Sequence, residues 1–205
     1  MGSIGRDNAR PRATTRPRAS ALLAAAVLTL GLAGCAELAS PERFSLSATP
    51  ARARPTKATF MVATPIVFDP FDSDLIVVRS ADGALSRVGG ARWADRLPGL
   101  LQGRIVQTFE NAGLARQVTV NGTSADYDLR VEVRRFEIDT ATRAAEVELT
   151  ARLAAQSSGR IVAAKIFQAS WPVEEVTGPA TAQALDRALG DVLSRMIPWA
   201  ASLGH

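Results

Sequence analysis

The chain has 205 residues, 47% hydrophobic and 21% charged, enough apolar material for the core of one ordinary domain and too much for wholesale disorder. Its formal charge of +4 would suit an anionic partner, but five of the 24 basic residues and one of the 20 acidic ones precede Cys35, leaving nineteen of each beyond it. A neutral body removes the electrostatic basis for nucleic-acid binding.

An Arg-rich opening, "RDNARPRATTRPRAS", gives way to the apolar run "ALLAAAVLTLGLAG", which is too short to span a bilayer that needs about 20 residues. A basic region, an apolar stretch of this length and then small residues make a secretory signal over residues 1–34. Cys35 is the chain's one cysteine, so an internal disulfide is excluded, and the thiol is a buried hydrophobe, a nucleophile, a metal ligand or a modification site. Nothing amphipathic surrounds it, which disfavours burial in a helix. Leu32-Ala33-Gly34-Cys35 resembles the lipobox of bacterial lipoproteins. That resemblance implies a diacylglyceryl thioether on Cys35, cleavage before it, and acylation of the new amine. Each buried CH2 contributes about 0.8 kcal/mol, so several chains would anchor the protein firmly. The next residue is Ala36 rather than Asp, which under the lipoprotein sorting rule implies the outer membrane, facing the periplasm, rather than retention in the inner one.

Residues 35–58, rich in Pro, Ala, Ser and Thr without apolar period, are expected to form a lipid-anchored flexible tether, with at most a short strand around Phe44 to Leu46. A single domain over 59–205 follows. "FMVATPIVFDP" is β-branched and broken by Pro65 and Pro70, as an edge or bulged strand would be. "LIVVRS" and "ALSRVGG" flank Asp82-Gly83, a two-residue hairpin signal. Asp69, Asp72 and Asp74 lie before that hairpin, but their spacing is not an EF-hand pattern, and turn chemistry accounts for them. A helix is predicted from near Trp93, with Leu97, Leu100, Leu101, Ile105, Phe109 and Ala112 on one face, Asp95 as N-cap and Gly113 closing it.

After a short "RQVTV", three strands are predicted. In "DYDLRVEVRRFEID" the alternation of Tyr127, Leu129, Val131 and Val133 slips at Arg134-Arg135 before Phe136 and Ile138 take over, which requires a β-bulge. "RAAEVELTARLAA" is apolar on one face and charged on the other, and "RIVAAKIFQASW" ends at Trp171-Pro172. Leu185, Leu189, Val192, Leu193 and Met196 line a final helix, capped by Thr177 or Thr181 and kinked or ended by Pro198. The order β-β-β-α-β-β-β-β-α predicts an α+β two-layer sandwich, a mostly antiparallel sheet with two helices on one face.

The sequence argues against an enzyme. The one histidine is the terminal His205, and Cys35 is consumed by acylation, so Ser-His, Cys-His and His-zinc chemistry have no candidates. No GxGxxG, P-loop or GxSxG is present, and neither a cofactor nor a metal is called for. Glu146 and Glu148 share a strand face that reads as solvated, and Asn121-Gly122-Thr123 reads as a turn. Arg130, Glu132 and Arg134 join those glutamates on the same outer face, where no docking site is assigned.

The pieces "RFSLSATP", "SDLIVVRSADGALSRVGGARWADRLPGLLQGRIVQTFENAG", "ADYDLRVEVRRFE" and "QALDRALGDVLSRM", in this order over residues 42 to 200, resemble the auxiliary lipoproteins of ABC-type transporters, the family of paraquat-inducible protein C. The resemblance implies a subunit working beside an ABC permease, an ATPase and an MCE-domain protein, moving phospholipid or other lipid between the two membranes. The alternative is an assembly lipoprotein of an outer-membrane lipopolysaccharide translocon, with which this architecture is shared.

Overall fold

The longest strands dictate the frame. In this computed structural model, which describes Gly2 and residues 40–204 other than residue 123, β6 (Tyr127–Asp139), β7 (Ala144–Ala155) and β8 (Ile161–Pro172) form an antiparallel meander. Ahead of them run β1 (Glu42–Phe44), β2 (Phe60–Val62), β3 (Leu75–Arg79), β4 (Leu85–Trp93), helix α1 (Leu97–Asn111) and β5 (Val118–Thr119), and helix α2 (Gly178–Ser202) closes the chain. Alternation along β6 places Leu129, Val131 and Val133 inward, and the ladder slips between Val133 and Arg135. Arg134 is therefore the extra residue, and Phe136 and Ile138 return to the core side, as the charge pattern predicts.

The eight strands form one sheet, but it is mixed rather than mostly antiparallel: β1–β4, β2–β5, β2–β6 and β3–β6 pair in parallel, against three antiparallel pairings. The sheet also forks and curls instead of forming one flat layer of a sandwich. One edge of β6 is covered along its length by β7, while the other is shared end to end by β2, a bridge at Ile66, and β3. The parallel pairings were invisible to hydropathy because each involves a strand only two to five residues long that owes its position to partners far off in sequence. The β3–β4 hairpin forms at the predicted place, with Gly83 in the left-handed region (φ +85°), but five residues separate the paired Arg79 and Leu85 rather than two. β4 then bends at Gly89-Gly90, where the register with β3 breaks.

Trp93 ends β4 instead of starting the helix, and its ring meets Phe136 edge-on at 5.9 Å. α1 begins after Arg96, with Pro98 in its first turn and no side-chain cap, so Asp95 does not act as N-cap. Its buried face is Leu97, Leu101, Ile105, Thr108 and Phe109, and Gly113 takes the left-handed position just past its end. α2 starts after Thr177, whose side chain makes no cap; the Thr181 hydroxyl donates back to the Thr177 and Gly178 carbonyls. Pro198 neither ends nor breaks it. Although it lacks an N–H, Ile197, Ala200 and Ala201 on the same helix are fully buried, and that burial carries the helix on to Ser202. Both helices cover one face, over a core that includes the Phe60–Phe109 and Phe60–Tyr127 ring pairs.

The tether expectation fails from Glu42 onward. The compact unit begins at Ser40, not residue 59, and β1 pairs Glu42–Phe44 with Ala91–Trp93. Beyond it, residues 45–58 form a strap along α2, tied at successive points. Ser47 N–H donates to Asp186 (2.6 Å), Thr49 N–H to the Thr108 hydroxyl (3.4 Å), and the Thr56 hydroxyl to the Gly204 carbonyl (2.8 Å). Leu46, Ala51, Thr56 and Ala58 are buried beneath it. Apart from Leu46, its buried positions are small, Ala51, Thr56 and Ala58.

Candidate functional site

The residues expected to carry the lipid anchor, Leu32, Ala33, Gly34 and Cys35, lie outside the described residues, as does His205. What the structure does present is the outer face of the sheet, where the β6 bulge turns Arg135, Glu137 and Asp139 away from the helices. Glu137 is the center of this face. Its side chain is 0% exposed and clasped by two guanidinium groups. Arg79 donates Nε to Oε1 at 2.8 Å and Nη2 to Oε2 at 3.0 Å, and Arg135 donates Nε to Oε1 at 3.0 Å. Parallel pairing of β3 with β6 supplies Arg79, because Val77 sits opposite Glu137 and Arg79 opposite Asp139.

The electrostatics follow from these bonds. The hydrogen bond to Glu137 raises Arg79 above the ordinary guanidinium range, against partial burial. Burial works against charge on Arg135, but bonds to Glu137 and Asp139 outweigh it and raise its pKa as well. Burial likewise opposes ionisation of Asp139, and the N–H groups of Thr142 and Ala141 with Arg135 overcome it, holding its carboxyl below the usual range.

Further along the face, Arg134 pairs with Glu148 at 2.9 Å, Arg152 with Glu132 at 2.7 Å and Arg130 with Asp128 at 3.3 Å. Glu146 accepts from the Ser170 hydroxyl and lies 3.9 Å from Arg135. Glu146 and Glu148 are thus separately neutralised rather than set against one another as an acid and a base would be. The cleft of about 390 Å³ that Arg135, Glu146, Glu148, Gln168 and Ser170 line is polar and self-paired. Asp72 and Asp74, two of the three acids weighed for calcium, are engaged by Arg96 and Arg92 at 2.8 Å. Among the described residues no three His, Cys, Asp or Glu side chains converge as a metal site would require. No described helix is long and apolar enough to cross a membrane.

Glu137 and Arg79 were not singled out by their residue types. The signal that points to Glu137 is the phase slip at Arg134, which forces Arg135 and Glu137 outward side by side. Its pairing with Arg79 depends on a parallel register that no local pattern encodes.

The mixed sheet thus carries helices on one face and a layer of paired charges on the other. Comparison with known proteins makes the family explicit. Residues 44–197 match the ABC-type transport auxiliary lipoprotein component family, and the chain belongs to it. The family is one of lipoprotein components auxiliary to ABC-type transport. The crystal structure of protein XCC0632 from Xanthomonas campestris, of family DUF330, is similar over 80% of this chain and 96% of that one, with 29% identity and a TM-score of 0.71. A second solved structure, of an uncharacterized protein, shares the fold at a TM-score of 0.62 and 14% identity, over 80% of this chain and 98% of that one. Uncharacterized protein bll6063 of Bradyrhizobium diazoefficiens is 34% identical over 111 residues, 52% of this chain but 30% of its own length. The chain therefore spans less than a third of that relative.

Proposed function

We propose that this protein is a non-catalytic auxiliary subunit of an ABC-type transporter that moves phospholipid or other lipid between the inner and outer membranes, with an MCE-domain protein as its periplasmic partner. Cys35 is its anchor: acylated after removal of residues 1–34, it holds the domain on the periplasmic side of the outer membrane. The observation that carries this reading is the family match over 44–197 directly behind a Leu-Ala-Gly-Cys sequence.

Affinity purification of the full-length protein from detergent-solubilised membranes, followed by mass spectrometry, tests the proposal. Recovery of the permease, the ATPase and an MCE-domain protein is expected, together with fractionation to the outer membrane. Recovery of the transporter without an MCE protein would reduce the proposal to the family role alone. Recovery of none of them would overturn it.

A further inference from the structure

The two faces of the domain treat charge differently. Every ion pair among the described residues involves the sheet or its junction with α1, and there cations and anions compensate one another. On the helical side, α1 and α2 carry Arg104, Arg187 and Arg195 against Glu110, Asp186 and Asp191, which balance. The strap does not balance. From Ser45 to Ala58 it contains no acidic residue, and Arg52, Arg54 and Lys57 are all exposed without an ion pair among the described residues. Ala51, Thr56 and Ala58 are buried while Arg52, Arg54 and Lys57 are exposed, with one slip in phase at Pro55.

Chain length says what this strip meets. Resting on the reading of Cys35 as the anchor, seven residue steps separate the acyl chains from Glu42, which at full extension reach about 25 Å. The strap itself follows α2 from Asp186 to Gly204, about 27 Å of helix at 1.5 Å per residue. The leash is no longer than the surface it leads into, so the strap lies within reach of the bilayer. A neutral domain that concentrates three uncompensated cations on that strip matches an anionic surface. We infer that the strap along the α1–α2 seam is a membrane-contact surface, in which Arg52, Arg54 and Lys57 bind anionic lipid headgroups and lay the helical layer toward the bilayer, leaving the ion-paired sheet face directed away from it.

The test uses the mature, lipidated protein in vesicles of phosphatidylcholine, with or without phosphatidylglycerol. Cys35 is the chain's one native cysteine, so a thiol introduced at Pro55 on the strap or at Ala164 on the outer sheet face can be labelled alone once Cys35 is acylated. Headgroup-borne quencher should dim the Pro55 label and spare the Ala164 label. That difference should appear with phosphatidylglycerol and vanish in high salt or in the triple variant Arg52→Ala/Arg54→Ala/Lys57→Ala. Equal quenching at both sites, stronger quenching at Ala164, or quenching indifferent to charge overturns the inference. Protection of the strap only on adding the transporter proteins overturns it in favour of a protein contact. Mass spectrometry of the same preparation reads acylation separately. If Cys35 is unmodified, the anchor reading fails, and vesicle flotation still decides for the strap: a more than tenfold loss of binding to phosphatidylglycerol vesicles in the triple variant supports it, and no loss overturns it.

Discussion

Glu137 lets one energetic argument be checked by rank order. Its carboxylate is fully buried, whereas the Arg79 and Arg135 side chains that clasp it are 34% and 33% exposed. Removing the anion leaves two guanidinium groups that water can still reach, so Glu137→Gln, which keeps shape and some hydrogen bonding, should cost about 1 kcal/mol. Removing a cation is different. Arg79→Met retains the apolar stem but takes away the bidentate partner of a carboxylate that cannot hydrate. Breaking a buried pair in this way costs about 3–5 kcal/mol when nothing remains, and because Arg135 stays, about 3 kcal/mol is expected. In the double variant the stranded carboxylate is gone, so the two losses should fall short of adding by at least about 1 kcal/mol. Urea titrations at neutral pH, compared at equal slope, give all three values. A larger cost for Glu137→Gln than for Arg79→Met, or simple additivity, would refute the asymmetry.

The remaining predictions concern the strap, a close contact, a titration and the anchor. Leu46→Ala, at a site 2% exposed, should lower stability by about 3 kcal/mol in the same titrations, a loss that no flexible tether would show. Gly178→Ala places a methyl group 2.9 Å from Ala91 Cβ and 3.2 Å from the Phe44 ring, so it should destabilise by about 1 kcal/mol, against the direction of helix propensity. The Thr59 N–H and hydroxyl hold the exposed Asp126 carboxyl below the usual range. Its contribution is therefore complete above about pH 4 and lost as pH falls through the depressed value, so the stability gap between wild type and Asp126→Asn should close on acidification. A gap that widens toward low pH would contradict the bonding. Cys35→Ser should accumulate an uncut precursor without palmitate label, and normal processing of that variant would overturn the anchor reading.

What the sequence disclosed depended on the range of the forces involved. The β6 bulge, the β6–β8 meander and the buried stripes of both helices were legible because each follows from a residue's neighbours within a turn or a hairpin. Parallel pairing was not, since β1, β2 and β5 are two or three residues long and their ladders are chosen by the rest of the fold. The strap was missed for a subtler reason. Ala51, Ala53 and Ala58 alternate with Arg52, Arg54 and Lys57, but alanine contributes so little hydropathy that proline and charge dominated the reading. Pro198 misled in the opposite direction, because a strong local rule was outweighed by the burial of Ile197, Ala200 and Ala201. As for the site, Glu137 could be placed on the outer face, but its partner Arg79 could not be named without the parallel register.

The strap also sets the order in which the domain can be completed. Its ties join residues 139 and 148 positions apart, Ser47 with Asp186 and Thr56 with Gly204, so nearly the first residues of the domain close against nearly the last. Such a closure cannot nucleate early, since the loop it shuts is almost the whole chain. A polypeptide emerging N-terminus first would present the strap early and keep it unpartnered until α2 had followed.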